Sequence, residues 1–248
     1  MDNKDMEVVE HLEEFRRRLF IILGCFFIFL IFDFVYVKDI YKILTQSLPF
    51  KLTILGPSDI LWIYFSISGI IALALTIPVA SFQCWLFVRP GLHAHERKAA
   101  LMYIPFLFIL FVTGLLIGYF FVMPNVFRFI NYLGKNMFIE MYTVDKYFGF
   151  VFNLVVPFAV CFDMPVILMF LTSIGIVNPV YLKKMRRYAY FILVVVACCI
   201  SPPDFVSHIS VSIPLILLYE CSVLLSNLAY KKRRKREQNT HLEMEVRK

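Results

Sequence analysis

The sequence predicts an all-α polytopic membrane protein with six transmembrane helices, a short fifth span and both termini cytoplasmic. Three observations carry that reading. The 248 residues are 60% hydrophobic with a mean hydropathy of +0.75. Only 17% are charged, against roughly 25% in an ordinary soluble domain. The apolar residues also come in long runs rather than amphipathic periods, more than one soluble core could hide.

A bilayer core of about 30 Å needs ~20 helical residues. Six runs are candidates: residues 19–37, 60–86, 101–123, 148–173, 188–200 and 205–227. The first follows Arg16, Arg17 and Arg18, as an export signal would, but it is too long for a cleaved signal and ends without a small-residue cleavage site. The arginines therefore anchor a retained helix. With both ends on one side, 19 of the 25 Lys and Arg residues fall in the termini and alternate loops of that side, which makes it cytoplasmic. The net charge of +7 thus belongs to topology and implies no nucleic acid. The chain divides into an amphipathic cytoplasmic arm (1–18), a six-helix transmembrane domain (19–227) and a basic cytoplasmic tail without ordered structure (228–248).

The fifth run, Tyr188 to Ile200, has thirteen residues, or about 20 Å of helix. The sixth begins with the polar "FVSHISVS". Such a stunted pair calls for local thinning of the bilayer or cover from neighbours. Pro78, Pro105, Pro124, Pro157, Pro165 and Pro214 lie in or at the ends of runs. They are expected to kink their helices, although proline is common in membrane helices for bland reasons too. No internal repeat is visible, which weighs against an alternating-access transporter. The six cysteines lie in or beside apolar runs without a zinc or disulfide spacing, and read as packing residues.

Few residues could carry chemistry. In the arm, Val8, Val9, Leu12, Phe15 and Leu19 share a helical face that should lie along the cytoplasmic surface. Glu13 with Arg17, and Glu14 with Arg18, are spaced i,i+4 for ion pairing. These acids either neutralise the arginines or await a cationic ligand. Glu96 lies within the short polar loop "FVRPGLHAHERKAA", just before the third run and in the first turn of a helix beginning near Ala94; dipole stabilisation alone could explain it. His93, His95 and Glu96 lack a metal-site spacing, so no metal or other cofactor is expected.

Asp163 lies fifteen residues into the fourth run, about 22 Å of helical rise. An acid that deep costs about 2.5–3.5 kcal/mol on insertion scales and is a functional candidate by default. Glu220 is a second acid, nearer the cytoplasmic end of the last run. Asp33 is expected to reach the headgroups, and Asp204 in "SPPD" to form a turn. No nucleophile motif or paired intramembrane aspartate is present, so the chain does not read as an enzyme.

Taken in order, "HLEEFRRRL", "FQCWLFVRPGLHAHERK", "YFGFVFNLVVPFAVCFDMPV" and "ISPPDF" are similar to the TatC family, the receptor subunits of the twin-arginine protein translocase. The resemblance runs from about His11 to Tyr230. It implies that twin-arginine signal peptides of folded cargo dock at the cytoplasmic face on acids matching Glu14 and Glu96, with Gln83 and Phe87 beside them. Carboxylates suit that task because they bind guanidinium groups bidentately. The resemblance also implies that Asp163, where many members carry Glu, meets a single-span TatA-type partner, and that export draws on the protonmotive force. A homo-oligomer in a bacterial plasma membrane is expected; Pro78, Asp204 and Glu220 are secondary candidates, structural or functional. The alternatives are a proton- or ion-coupled small-solute transporter using Asp163 and Glu220, and a structural scaffold in which the acids are dispensable.

Overall fold

In a computed structural model the described residues are 3–46, 48, 50–88, 94–134 and 141–246, with side chains for 12–46, 48, 50–87, 103–134, 141–231 and 234. Their regular structure is helical apart from an isolated bridge between Thr53 and Thr143. The helices are α1 (Asn3–Asp33), α2 (Val37–Thr45), α3 (Pro57–Val88), α4 (Ala94–Ile117), α5 (Met123–Gly134), α6 (Val144–Phe162), α7 (Met164–Ser173), α8 (Pro179–Lys184), α9 (Arg186–Ile200) and α10 (Phe205–Val246).

Among the described residues, four stretches are long and apolar enough to cross a membrane: Pro57–Phe87, Tyr103–Gly134, Val144–Ser173 and Phe205–Lys231. Leu12–Asp33 and Val37–Thr45 form a pair bent by 72°, a fifth if taken as one span. α9 has 15 residues, about 22 Å at 1.5 Å per residue, close to the stunted fifth run expected. Large apolar side chains such as Phe20, Ile31, Phe65, Phe120, Phe191 and Leu217 stand exposed. Such a surface is suited to lipid and not to water.

The chain separates into two compact units, Met1–Ile109 with Asn136–Phe152, and Leu110–Lys135 with Asn153–Lys248. In the first, α1 and α3 pack extensively against each other. The arm and the first run form one continuous helix from Asn3, so no break turns the arm along a surface. That helix stops at Asp33, four residues before the expected end. The chain turns through Phe34 to Tyr36 and re-enters helix as α2, whose Val37 is fully buried while Lys38, Asp39 and Lys42 are exposed. Asp33 is itself 5% exposed, not reaching outward as expected. Further along the same unit, Thr53 N–H donates to Tyr142 O and Val144 N–H to Thr53 O, both at 2.9 Å. Phe50 stacks near Tyr142 and Tyr147 beside this bridge.

In the second unit, Gly114 and Gly118 present no side chain to α6. A Cβ on Gly114 would lie 2.8 Å from Ala159 Cα, and one on Gly118 3.1 Å from Val155 Cγ1. Two glycines four apart let the backbones approach, as in other membrane helix pairs. Next comes a π-helical turn, Gly118–Val122. It immediately precedes Pro124, whose ring would clash with a carbonyl four residues back in a regular helix; the widened turn is a known answer to that conflict. The helix then continues to Gly134, beyond the expected end at 123.

The other prolines behave unequally. Pro78, Pro105, Pro157 and Pro214 lie inside uninterrupted helices. Pro165 follows the break at Asp163 that divides α6 from α7. α7 packs along α10, where the hydroxyls of Thr172 and Ser226 are hydrogen-bonded to each other. α10 carries on to Val246, so residues 228–246, expected to lack ordered structure, are helical.

Candidate functional site

The polar cluster that matters most lies between α1 and α3. Because residues i and i+4 stack on one helical face, Arg18 reaches back over one turn of α1, and its Nη2 donates to Glu14 Oε1. Its Nη1 lies 3.5 Å from both the backbone oxygen and Oε1 of Gln83 on α3, long contacts at the limit of hydrogen bonding. The Glu14 side chain is 36% exposed and that of Arg18 only 17%. One residue along, the rings of Phe15 and Phe87 meet edge-on with centroids 5.9 Å apart, closing one end of the cluster with apolar surface.

Three of the four residues expected at the cytoplasmic site, Glu14, Gln83 and Phe87, are thus brought together. Glu96 lies in the first turn of α4, as expected, but its side chain falls outside the described residues, as do His93 and the rest of loop 89–93. Of the two ion pairs expected in the arm, Glu14–Arg18 forms. Glu13 instead faces Arg16 at 3.5 Å, both 70% exposed, so that the i,i+3 pair replaces Glu13–Arg17. Arg18 itself was read from sequence as a topological anchor and as the ion-pair partner of Glu14, not as a neighbour of Gln83. Its place inside the cluster depends on a contact 65 residues away along the chain, which no local pattern announces.

The deeper acids lie in separate surroundings. Asp163 is 8% exposed in the break before α7, and its Oδ1 is buried with no hydrogen-bond partner among the described residues. A buried acceptor left so costs about 1–3 kcal/mol. Glu220 is fully engaged: Arg186 Nη2 donates to its Oε2 at 2.7 Å and the Tyr190 hydroxyl to its Oε1. Alongside, Tyr219 O–H donates to Leu182 O at 2.8 Å. Glu220 therefore ties α9 to α10 while Tyr219 ties α8. Asp204 caps α10, accepting from Ser207 N–H at 2.7 Å through Oδ2, an N-cap geometry that refines the expected turn. Pro78 lies inside α3.

These features define a class: an all-helical polytopic membrane protein with an acid–guanidinium cluster between its first two long helices and a buried acid in a broken helix. Comparison with known proteins makes the class specific. Residues 10–214 match the family model of the Sec-independent protein translocase protein, TatC. The chain is 50% identical over 237 residues to the Sec-independent protein translocase protein TatCd of Bacillus subtilis (strain 168), covering 96% of this chain and 98% of that one. It is 42% identical over 246 residues to TatC of Halalkalibacterium halodurans, covering 96% and 95% respectively. Crystal structures of the twin-arginine translocase receptor TatC superpose with TM-scores of 0.75 and 0.78, the latter crystallised in DDM. Both are 34% identical, over 88% and 87% of this chain and 99% of those chains. The chain belongs to the TatC family and is a multi-pass membrane component of a Sec-independent protein translocase.

Proposed function

We propose that the protein is the translocase's receptor, not a catalyst, and binds the twin-arginine signal peptides of folded cargo at its cytoplasmic face. The observation that carries this reading is the convergence of Glu14, Gln83 and the Phe15–Phe87 contact on one face of α1 and α3. A carboxylate and an amide oxygen beside aromatic surface suit a guanidinium followed by apolar residues. Glu96 supplies the second acid. In this reading the chain crosses six times, both termini are cytoplasmic, and the membrane is a bacterial plasma membrane. The receptor self-associates and assembles with a single-span TatA-type partner at Asp163. The protonmotive force drives export, each charge moved contributing ~2.3 kcal/mol per 100 mV.

The test is photocrosslinking from position 96 to a twin-arginine signal peptide in native membranes, with a twin-lysine peptide as control. Crosslinks to the arginine peptide alone are expected, and in the chain without the crosslinker Glu14→Ala with Glu96→Ala should abolish binding of that peptide. Retained binding without both acids would sink the receptor site. The solute-transporter alternative loses support because Glu220 is held by Arg186 and Tyr190, which leaves it poorly suited to relay protons.

A further inference from the structure

We propose that Arg18 is a resident competitor for the receptor site: it occupies, within the protein itself, the position that a cargo arginine must take. The inference rests on the receptor reading and asks what that site contains before cargo arrives. Two of the groups assigned to cargo recognition, Glu14 and Gln83, are already turned toward one guanidinium, and it belongs to this chain. Arg18 Nη2 donates to Glu14 Oε1 while Nη1 faces the backbone and side-chain oxygens of Gln83. An incoming guanidinium seeks the same acceptors with the same fork of donors.

The hold is incomplete. Both Gln83 contacts are 3.5 Å long, and Arg18 Nε is buried with no acceptor among the described residues. A guanidinium that satisfies only part of its donors is displaced more readily than one fully bonded. Displacement is also local. Arg18 sits at the point where α1 passes from "EEFRRR" into "LFIIL", and a long arginine stem can swing its head toward water without moving the helix. The consequence is a threshold. Every peptide must displace Arg18, which lowers the apparent affinity of all of them by the same factor, and a point-charge lysine, lacking the planar fork, starts from the weaker hold. Arg18 thereby sets how tightly a signal must bind to occupy the site, while keeping the Glu14 carboxylate neutralised between cargoes.

The experiment measures equilibrium binding of fluorescent twin-arginine and twin-lysine signal peptides to the purified full-length chain in lipid nanodiscs. Arg18→Gln should tighten arginine-peptide binding about fivefold, the ratio a partly exposed ion pair is worth. It should tighten lysine-peptide binding by a similar factor, because a resident competitor closes the site to both. Arg18→Lys, which keeps the anchoring charge should Arg18→Gln fail to fold, should give a smaller shift in the same direction. Unchanged or weaker arginine-peptide binding in a folded Arg18 variant, with Glu14→Gln still weakening it, overturns the competitor and leaves the receptor site standing. If Glu14→Gln has no effect on binding, the receptor site fails and the competitor falls with it.

Discussion

At the residue scale, the same charged side chain means different things according to what meets it. Glu14 and Glu220 both pair with arginine, but Glu220 accepts from two partners on α9 through both its oxygens, whereas the guanidinium on Glu14 also faces Gln83 of α3. Glu220→Gln should therefore lower stability by about 1 kcal/mol, a modest figure because the pair is partly exposed, without changing signal-peptide affinity. Thermal unfolding in detergent and the peptide titration check the two halves. Asp163→Ala should have the opposite profile, sparing peptide binding and impairing co-purification of a TatA-type partner. From sequence, Glu14, Gln83, Phe87 and Asp163 could be picked out because familiar motifs flank them. The pairing of Arg18 with Glu14 was legible too, but its contact with Gln83 was not, because that contact is long-range.

At the element scale, hydropathy located the helices but not their joints. Runs such as 60–86 correspond to α3, which continues unbroken through Pro78. The turn at residues 34–36 and helix α2 went unseen because α2 mixes Lys38, Asp39 and Lys42 with its apolar face, a pattern that does not read as a span. The extension through α5 was missed for a similar reason: "MPNVFRFINYLG" carries an arginine and two asparagines. Neither can the sequence reveal which glycines matter. Gly114→Ala would force a Cβ to within 2.8 Å of the Ala159 backbone, so it should destabilise by about 1–3 kcal/mol, the usual range for overpacking. Gly24, with nothing within 4 Å of its added Cβ, should tolerate alanine and gain slightly from helix propensity. Protease resistance and unfolding temperature of the two variants, compared side by side, would read that difference.

At the scale of the whole molecule, in the six-span reading proposed above, the short α9 sets a mechanical demand on the membrane. Fifteen residues give about 22 Å where a bilayer core is about 30 Å. Each ångström of mismatch costs a fraction of a kcal/mol, and the bonds from Arg186 and Tyr190 to Glu220 keep α9 from drifting. The protein reconstituted in shorter-chain lipids should therefore unfold at a higher temperature than in long-chain lipids; the reverse order would argue that neighbouring protein, not thinned lipid, covers α9. The bridge between Thr53 and Thr143 carries a different consequence, about the order of assembly. Its partners are some 90 residues apart, and closing a loop that long costs about 4 kcal/mol of chain entropy, more than two backbone hydrogen bonds return at ~1 kcal/mol each. The two segments cannot find each other first. They meet only once α3 and the start of α6 have docked, with Trp62 already set against Phe152. The Thr53 amide thus acts as a late clasp, and its protection from hydrogen exchange should appear only after those helices have come together.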